Sequence, residues 1–130
     1  MTFPSLSDLK SVNEEVNALP YKSDPPDFDD WRPIGLDGGD CDSYAVAKLQ
    51  KLSALGWPVE KLRLATCYAE TGVYHAVLAV DTDEGQLVLD NRYPWPMTLD
   101  DLHVKGYKPD TIQAHGGSRY DWREWVWKSA

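Results

Sequence analysis

The stretch VYHAVLAVDTDEGQLVLDN, residues 73–91, decides how this chain folds. Its first part, VYHAVLAV (73–80), and its last, QLVLDN (86–91), are short, aliphatic and β-branched, with apolar side chains at a period of two. Each predicts a strand. The intervening TDEG (82–85) has the composition of a turn, so the whole reads as a β-hairpin. A histidine, His75, interrupts the apolar run of the first strand, and Asp90 closes the second. If the hairpin closes with Thr82 opposite Gly85, Asp90 falls opposite Val77. His75 and Asp90 then become diagonal neighbours on one face, about 7–8 Å apart between backbones, a gap long side chains bridge. A loop of odd length would reverse the parity and put the two on opposite faces.

Working outward, LRLATCYA (62–69) is a further strand candidate immediately upstream. Before it the period changes. Tyr44, Ala45, Leu49, Leu52 and Leu55 lie toward one face of a helix that Asp40 would cap and that Gly56 and Pro58 would stop. Leu6, Leu9, Val12, Val16 and Leu19 recur at helical spacing, with Ser5 or Ser7 as N-cap and Pro20 as terminator. Between these helices, YKSDPPDFDDWRPIGLDGG reads as an irregular segment rich in Pro, Gly and Asp. Beyond Pro96 the pattern weakens to a short helical turn in TLDDLHVKGY and a last strand in YDWREWVW. Helices first and an antiparallel sheet after them make an α+β domain. At 130 residues the chain is long enough for one such domain, 1–130, and not for two.

A net charge of −8 argues against nucleic acid as a partner, since phosphate binding needs clustered Lys and Arg. No run approaches the ~20 apolar residues of a membrane span. The opening MTFPSLSDLK has no basic region followed by an apolar one, so a reducing cytoplasm is the expected location unless another agent delivers the chain. There, Cys41 and Cys67 are expected as free thiols. The two cysteines and three histidines lack the short spacings of a structural zinc site.

The chemistry gathers at GGDCDSYAVAKL, residues 38–49, which places Cys41 at the first turn of the second helix. Unpaired N–H groups and the helix macrodipole favour negative charge there, and with it the nucleophilic thiolate. The same N–H groups can receive an oxyanion developing on an attacked carbonyl. Gly38 and Gly39 leave room for a substrate backbone. A nucleophilic cysteine needs an imidazole to take its proton and a third group to orient the ring, and His75 and Asp90 supply those two types. Cys67, within a strand, reads as buried and inert. Tyr44 reads as core with a hydrogen-bonded hydroxyl, His103 and His115 as surface, and Asn91 either as a support for the Asp90 region or as a turn residue.

Taken together, DWRP (30–33), GGDCDSYA (38–45), LRL (62–64), HAVLAV (75–80) and LVLDN (87–91) resemble, in content and order, the bacterial transglutaminase-like cysteine proteinases. That family is a branch of the papain/transglutaminase superfamily, and the resemblance runs over residues 25–95. It implies a nucleophile helix packed on an antiparallel sheet, with Cys41 as nucleophile, His75 as general base and Asp90 orienting the histidine. It also implies a cleft and oxyanion region bordered by Trp31 and Gly39, and a protein or peptide substrate. Calcium-binding members hold the ion through acidic residues flanking the cysteine. The matching positions here are Asp40, Asp42 and Ser43, and the serine withdraws one charged oxygen from a cation that takes six to eight. No cofactor is therefore expected to be required, with calcium as the candidate ion. The expected activity is hydrolysis of amide bonds through a thioester. Transglutaminase-type acyl transfer, a catalytically silent binding or virion-associated module, and a redox-sensing thiol remain open. A compact version without an export signal would suit a phage or prophage.

Overall fold

The computed structural model describes residues 5–19, 41–115 and 121–127. Helix α1 spans Leu6–Asn17 and begins at Ser5, whose N–H donates to Asp8 Oδ2 at 3.2 Å in a capping box. Helix α2 spans Cys41–Ala54. It ends where Gly56 takes a φ of 105°, a left-handed conformation that lets Trp57 N–H return to the Leu52 carbonyl at 3.1 Å. A 3-10 turn, Val59–Lys61, then leads into the sheet.

Strands β1 (Leu62–Tyr68), β2 (Tyr74–Thr82) and β3 (Gly85–Leu89) form a meander. Beyond it come β4 (Met97–Thr98), helix α3 (Leu99–Val104), β5 (Lys108–Gln113) and β6 (Trp122–Glu124). Among the described residues these strands make one six-stranded sheet in the order β4-β3-β2-β1-β5-β6, with every neighbouring pair antiparallel. The architecture is α+β, as the order of periodicities predicts. No helix among the described residues is long and apolar enough to cross a membrane.

Both faces of the central strands are buried, and alternation sorts their side chains. Leu62, Leu64, Leu78, Val80 and Leu89 pack with Leu9, Val12 and Val16 of α1 and with Tyr44, Ala45 and Leu52 of α2. Ala65, Cys67, Val77, Ala79 and Val88 point the other way, onto Leu102 of α3, Tyr107 and Trp125. Burial on both sides explains why β2 reads as a nearly continuous apolar run rather than a clean alternation.

Strand β5 was not legible in the sequence. KPDTIQ is polar and contains Pro109, which brings no N–H to the ladder. Its pairing with β1 shifts register between Thr66 and Cys67, where Pro109 stands opposite Cys67. Besides its ladder to β1 and the buried Ile112, side-chain bonds hold it. Thr66 Oγ1 lies 2.6 Å from Thr111 Oγ1, and Tyr74 Oη donates to Asp110 Oδ2 at 2.8 Å.

Leu78 is wholly buried and faces Leu64 on one side and Leu89 on the other. Leu78→Ala should lower the unfolding free energy by about 2–5 kcal/mol in a urea titration followed by circular dichroism. A loss below about 1 kcal/mol would mean that this part of the core is loosely packed.

Candidate active site

The hairpin closes with Thr82 opposite Gly85, and the register runs unbroken to Leu78 opposite Leu89. Asp90 is the next residue, so the even parity puts it on the face of Val77 and His75. The side chains complete the approach: His75 Nε2 lies 2.6 Å from Asp90 Oδ1. Only 7% of His75 is exposed and none of Asp90, so water does not compete for this bond.

Cys41 arrives from the opposite side of the sheet. It is the first residue of α2, and its Sγ accepts a hydrogen bond from Ala76 N–H at 3.3 Å. Ala76 lies beyond the last rung between β2 and β3, so its amide is open to the sulfur in the gap where β3 stops short. Both the helix N-terminus and the Ala76 N–H bring positive potential to the sulfur. With Nε2 engaged by Asp90, Nδ1 is the ring nitrogen left for the thiol. Burial alone would push the imidazole pKa down, but hydrogen bonding to Asp90 and to Cys41 outweighs it and brings His75 to about 9. For Asp90, burial pushes upward, and the hydrogen bond and charge of His75, the Arg92 amide and the Tyr107 hydroxyl hold it below the ordinary carboxylate value.

Cys41 and Cys67 are both free thiols. Cys67 is completely buried opposite His75 on β1, and burial pushes its thiol well above the ordinary value. Asp42 is also buried, and its Oδ1 accepts from the adjacent Ser43 N–H at 3.1 Å. Among the described residues no three His, Cys, Asp or Glu side chains group as metal ligands. Trp31, Gly39 and Asp40 lie outside the described residues.

The family model described as bacterial transglutaminase-like cysteine proteinase BTLCP matches residues 1–104 of the chain. The chain belongs to this family. Among curated proteins none matches it. Among solved structures it is similar to LapG of Legionella pneumophila in its calcium-bound form, with 26% sequence identity and a TM-score of 0.75 over 91% of this chain and 75% of that one. The EGTA-treated LapG aligns at 26% identity and a TM-score of 0.71, over 87% of this chain and 67% of LapG. A third LapG structure aligns at 27% identity and a TM-score of 0.70, over 83% and 65%. A cysteine proteinase of transglutaminase-like fold is the class to which the family and these neighbours point.

Several residues around Cys41, His75 and Asp90 carried no sequence signal. Asn17 of α1 donates from Nδ2 to the carbonyls of Asp90 and Tyr93, each at 3.0 Å, and Asn13 Nδ2 donates to Tyr93 O at 2.8 Å. These two carboxamides, from a helix over 70 residues away in sequence, pin the turn that presents Asp90. The buried Oδ1 of Asn91, next to Asp90, has no hydrogen-bond partner among the described residues. Tyr107 reaches Asp90 from the segment after α3, its hydroxyl donating to Oδ2 at 2.7 Å. Lys48 lies two turns along α2 from Cys41, fully buried, and among the described residues its Nζ has no hydrogen-bond partner. Burial lowers its pKa to about 7, against the pull of the Asp90 charge.

His75 and Lys48 make opposite contributions to stability against pH. His75 titrates near 9 in the fold and 6.5 outside it, so its contribution is full below 6.5 and is lost as pH rises through 9. Lys48 titrates near 7 in the fold and 10.5 outside it, so the fold gains stability as pH rises from 7 to 10.5. Between those values the slopes oppose. Lys48→Met should therefore expose a fall in unfolding free energy between about pH 7 and 9 that is flatter in wild type, measured by urea titration across pH. Parallel pH profiles for the two proteins would contradict this.

Proposed function

We propose that the protein is a thiol-dependent hydrolase of amide or peptide bonds in protein substrates, working through a thioester acyl-enzyme. In this reading Cys41 is the nucleophile, His75 the general base and Asp90 the group that orients the imidazole, within one domain spanning 1–130. The observation that carries it is the linked approach of three side chains from three elements: a buried 2.6 Å bond between His75 Nε2 and Asp90 Oδ1, with the Cys41 sulfur bonded to the amide next to His75. Membership of a cysteine proteinase family supports the same class.

The reaction begins with the Cys41 proton held on His75 Nδ1, and the sulfur, as thiolate, attacks the carbonyl carbon. The N–H groups at the start of α2 are assigned to stabilise the oxyanion. The tetrahedral intermediate collapses, the C–N bond breaks, and His75 returns its proton to the leaving amine. Water, deprotonated by His75, then attacks the thioester and releases the acid, and the thiol is restored. Asp90 keeps the Nε2 side of the ring occupied throughout, so Nδ1 remains the nitrogen that exchanges protons with sulfur, water and amine. Trp31 and Gly39 are assigned to the cleft and oxyanion region. No step needs calcium. LapG has a calcium-bound form, but here the Asp42 carboxylate is spent in part on its own helix and Ser43 offers no charge. Hydrolysis should therefore proceed in EGTA.

With denatured casein as substrate, Cys41→Ala and His75→Ala should each lower kcat/KM by at least about 10³-fold. An activity insensitive to Cys41→Ala would sink the reading. Partitioning of the acyl-enzyme between water and an added primary amine separates the two outcomes of one thioester. Preferred transfer to the amine would make the protein an acyltransferase instead.

A further inference from the structure

Asp90 has a second partner whose geometry goes beyond filling space. Tyr107 is 2% exposed, and its hydroxyl spends its single proton on Asp90 Oδ2 at 2.7 Å. The direction of that bond is dictated from behind. Arg92 Nη1 donates to the Tyr107 oxygen at 2.8 Å, and a guanidinium can only donate, so the tyrosine proton must point to the carboxylate. The guanidinium is itself fixed by a two-point pair with Glu70, Nη1 to Oε2 at 2.8 Å and Nη2 to Oε1 at 2.5 Å. Arg92 also gives its backbone N–H to Asp90 Oδ1 at 2.9 Å.

These four residues tie together three connections of the sheet. Glu70 stands in the turn between β1 and β2 that delivers His75, Arg92 in the turn that follows Asp90, and Tyr107 between α3 and β5. The third connection passes close to the first: a Cβ on Gly106, whose φ is 93°, would lie 3.1 Å from Glu70 Cβ. Glycine there meets both the conformation and the close approach.

We propose that Tyr107, backed by Arg92 and Glu70, is a positioning residue that holds the Asp90 carboxylate ionised and aimed at His75. The proposal rests on the reading of Asp90 as the group that orients the imidazole. The ionisable groups bearing on Asp90 are His75 from β2, Lys48 from α2, Cys67 from β1, and Tyr107 and Arg92. Of these, Tyr107 is the one whose contribution a single hydroxyl deletion removes while its ring still fills the core against Ala69, Met97 and Leu102.

The test is the titration of the Asp90 carboxyl carbon by NMR in the full chain, the resonance being identified by its loss in Asp90→Asn. In Tyr107→Phe the carboxyl should take up its proton about one pH unit higher than in wild type, a roughly tenfold gain in proton affinity. With casein, kcat should fall about tenfold and KM should stay within about twofold, because Tyr107 is buried away from a substrate at the surface. Glu70→Gln, a half-exposed change that frees Arg92, should move the carboxyl the same way by a smaller amount, and it carries the test should Tyr107→Phe not fold. A carboxyl that remains ionised to the same pH in the variant as in wild type overturns the proposal. The titration needs no turnover: absence of Cys41-dependent cleavage would defeat the hydrolase reading alone, and an unmoved carboxyl in an active Tyr107→Phe would defeat the positioning role alone.

Discussion

A buried hydrogen bond between an imidazole and a carboxylate holds only when both strands that carry it are in register. In this protein the His75–Asp90 contact, 2.6 Å long and closed to solvent, depends on the tight hairpin between β2 and β3. A one-residue slip would rotate Asp90 to the helix face of the sheet and leave a charged group among Leu78, Val80 and Leu89. The turn resists such a slip. Gly85 has a φ of 101°, Thr82 Oγ1 donates to its carbonyl at 2.6 Å, and Glu84 N–H caps the same hydroxyl at 3.1 Å. The geometry of the candidate site therefore begins in a turn far from any chemistry.

The opposed charges are arranged around that bond in layers. Asp90 draws on His75, on the Arg92 amide and on the Tyr107 hydroxyl, so both of its oxygens are satisfied. Satisfied in this way, a buried carboxylate is tolerated where an unpaired one would not be. Lys48 differs: its Nζ finds no hydrogen-bond partner among the described residues, and burial lowers its pKa to about 7. Its burial beside the acid leaves this region of the fold sensitive to pH from two directions.

What the sequence made legible was whatever is local. Period two over residues 73–91 and a turn of even length were enough to place His75 and Asp90 on one face, because strand parity is a counting property. Helix spacing likewise anticipated the buried Leu9, Val12, Val16, Tyr44, Ala45 and Leu52, though Leu6 and Leu55 at the helix ends are exposed. Of the two serines offered as cap, Ser5 takes the role, and the Tyr44 hydroxyl donates to the Leu19 carbonyl. Contacts made across long sequence separations left no such trace. The carboxamides of Asn13 and Asn17 look like ordinary polar positions on a helix, and Tyr107 follows a glycine in an unremarkable connection. Strand β5 was hidden because Asp110 and Thr111 bond to Thr66 of β1, which leaves Ile112 as its apolar core residue.

The central claim is that Cys41 and His75 behave as one proton-sharing unit under the control of Asp90. The direct measurement is the rate of iodoacetamide alkylation of Cys41 against pH, with Cys67 replaced by serine, in otherwise wild-type protein and in His75→Ala and Asp90→Asn. A coupled unit predicts rapid alkylation at neutral pH and a profile that changes shape when either partner is altered. Superimposable profiles for all three proteins would contradict the account.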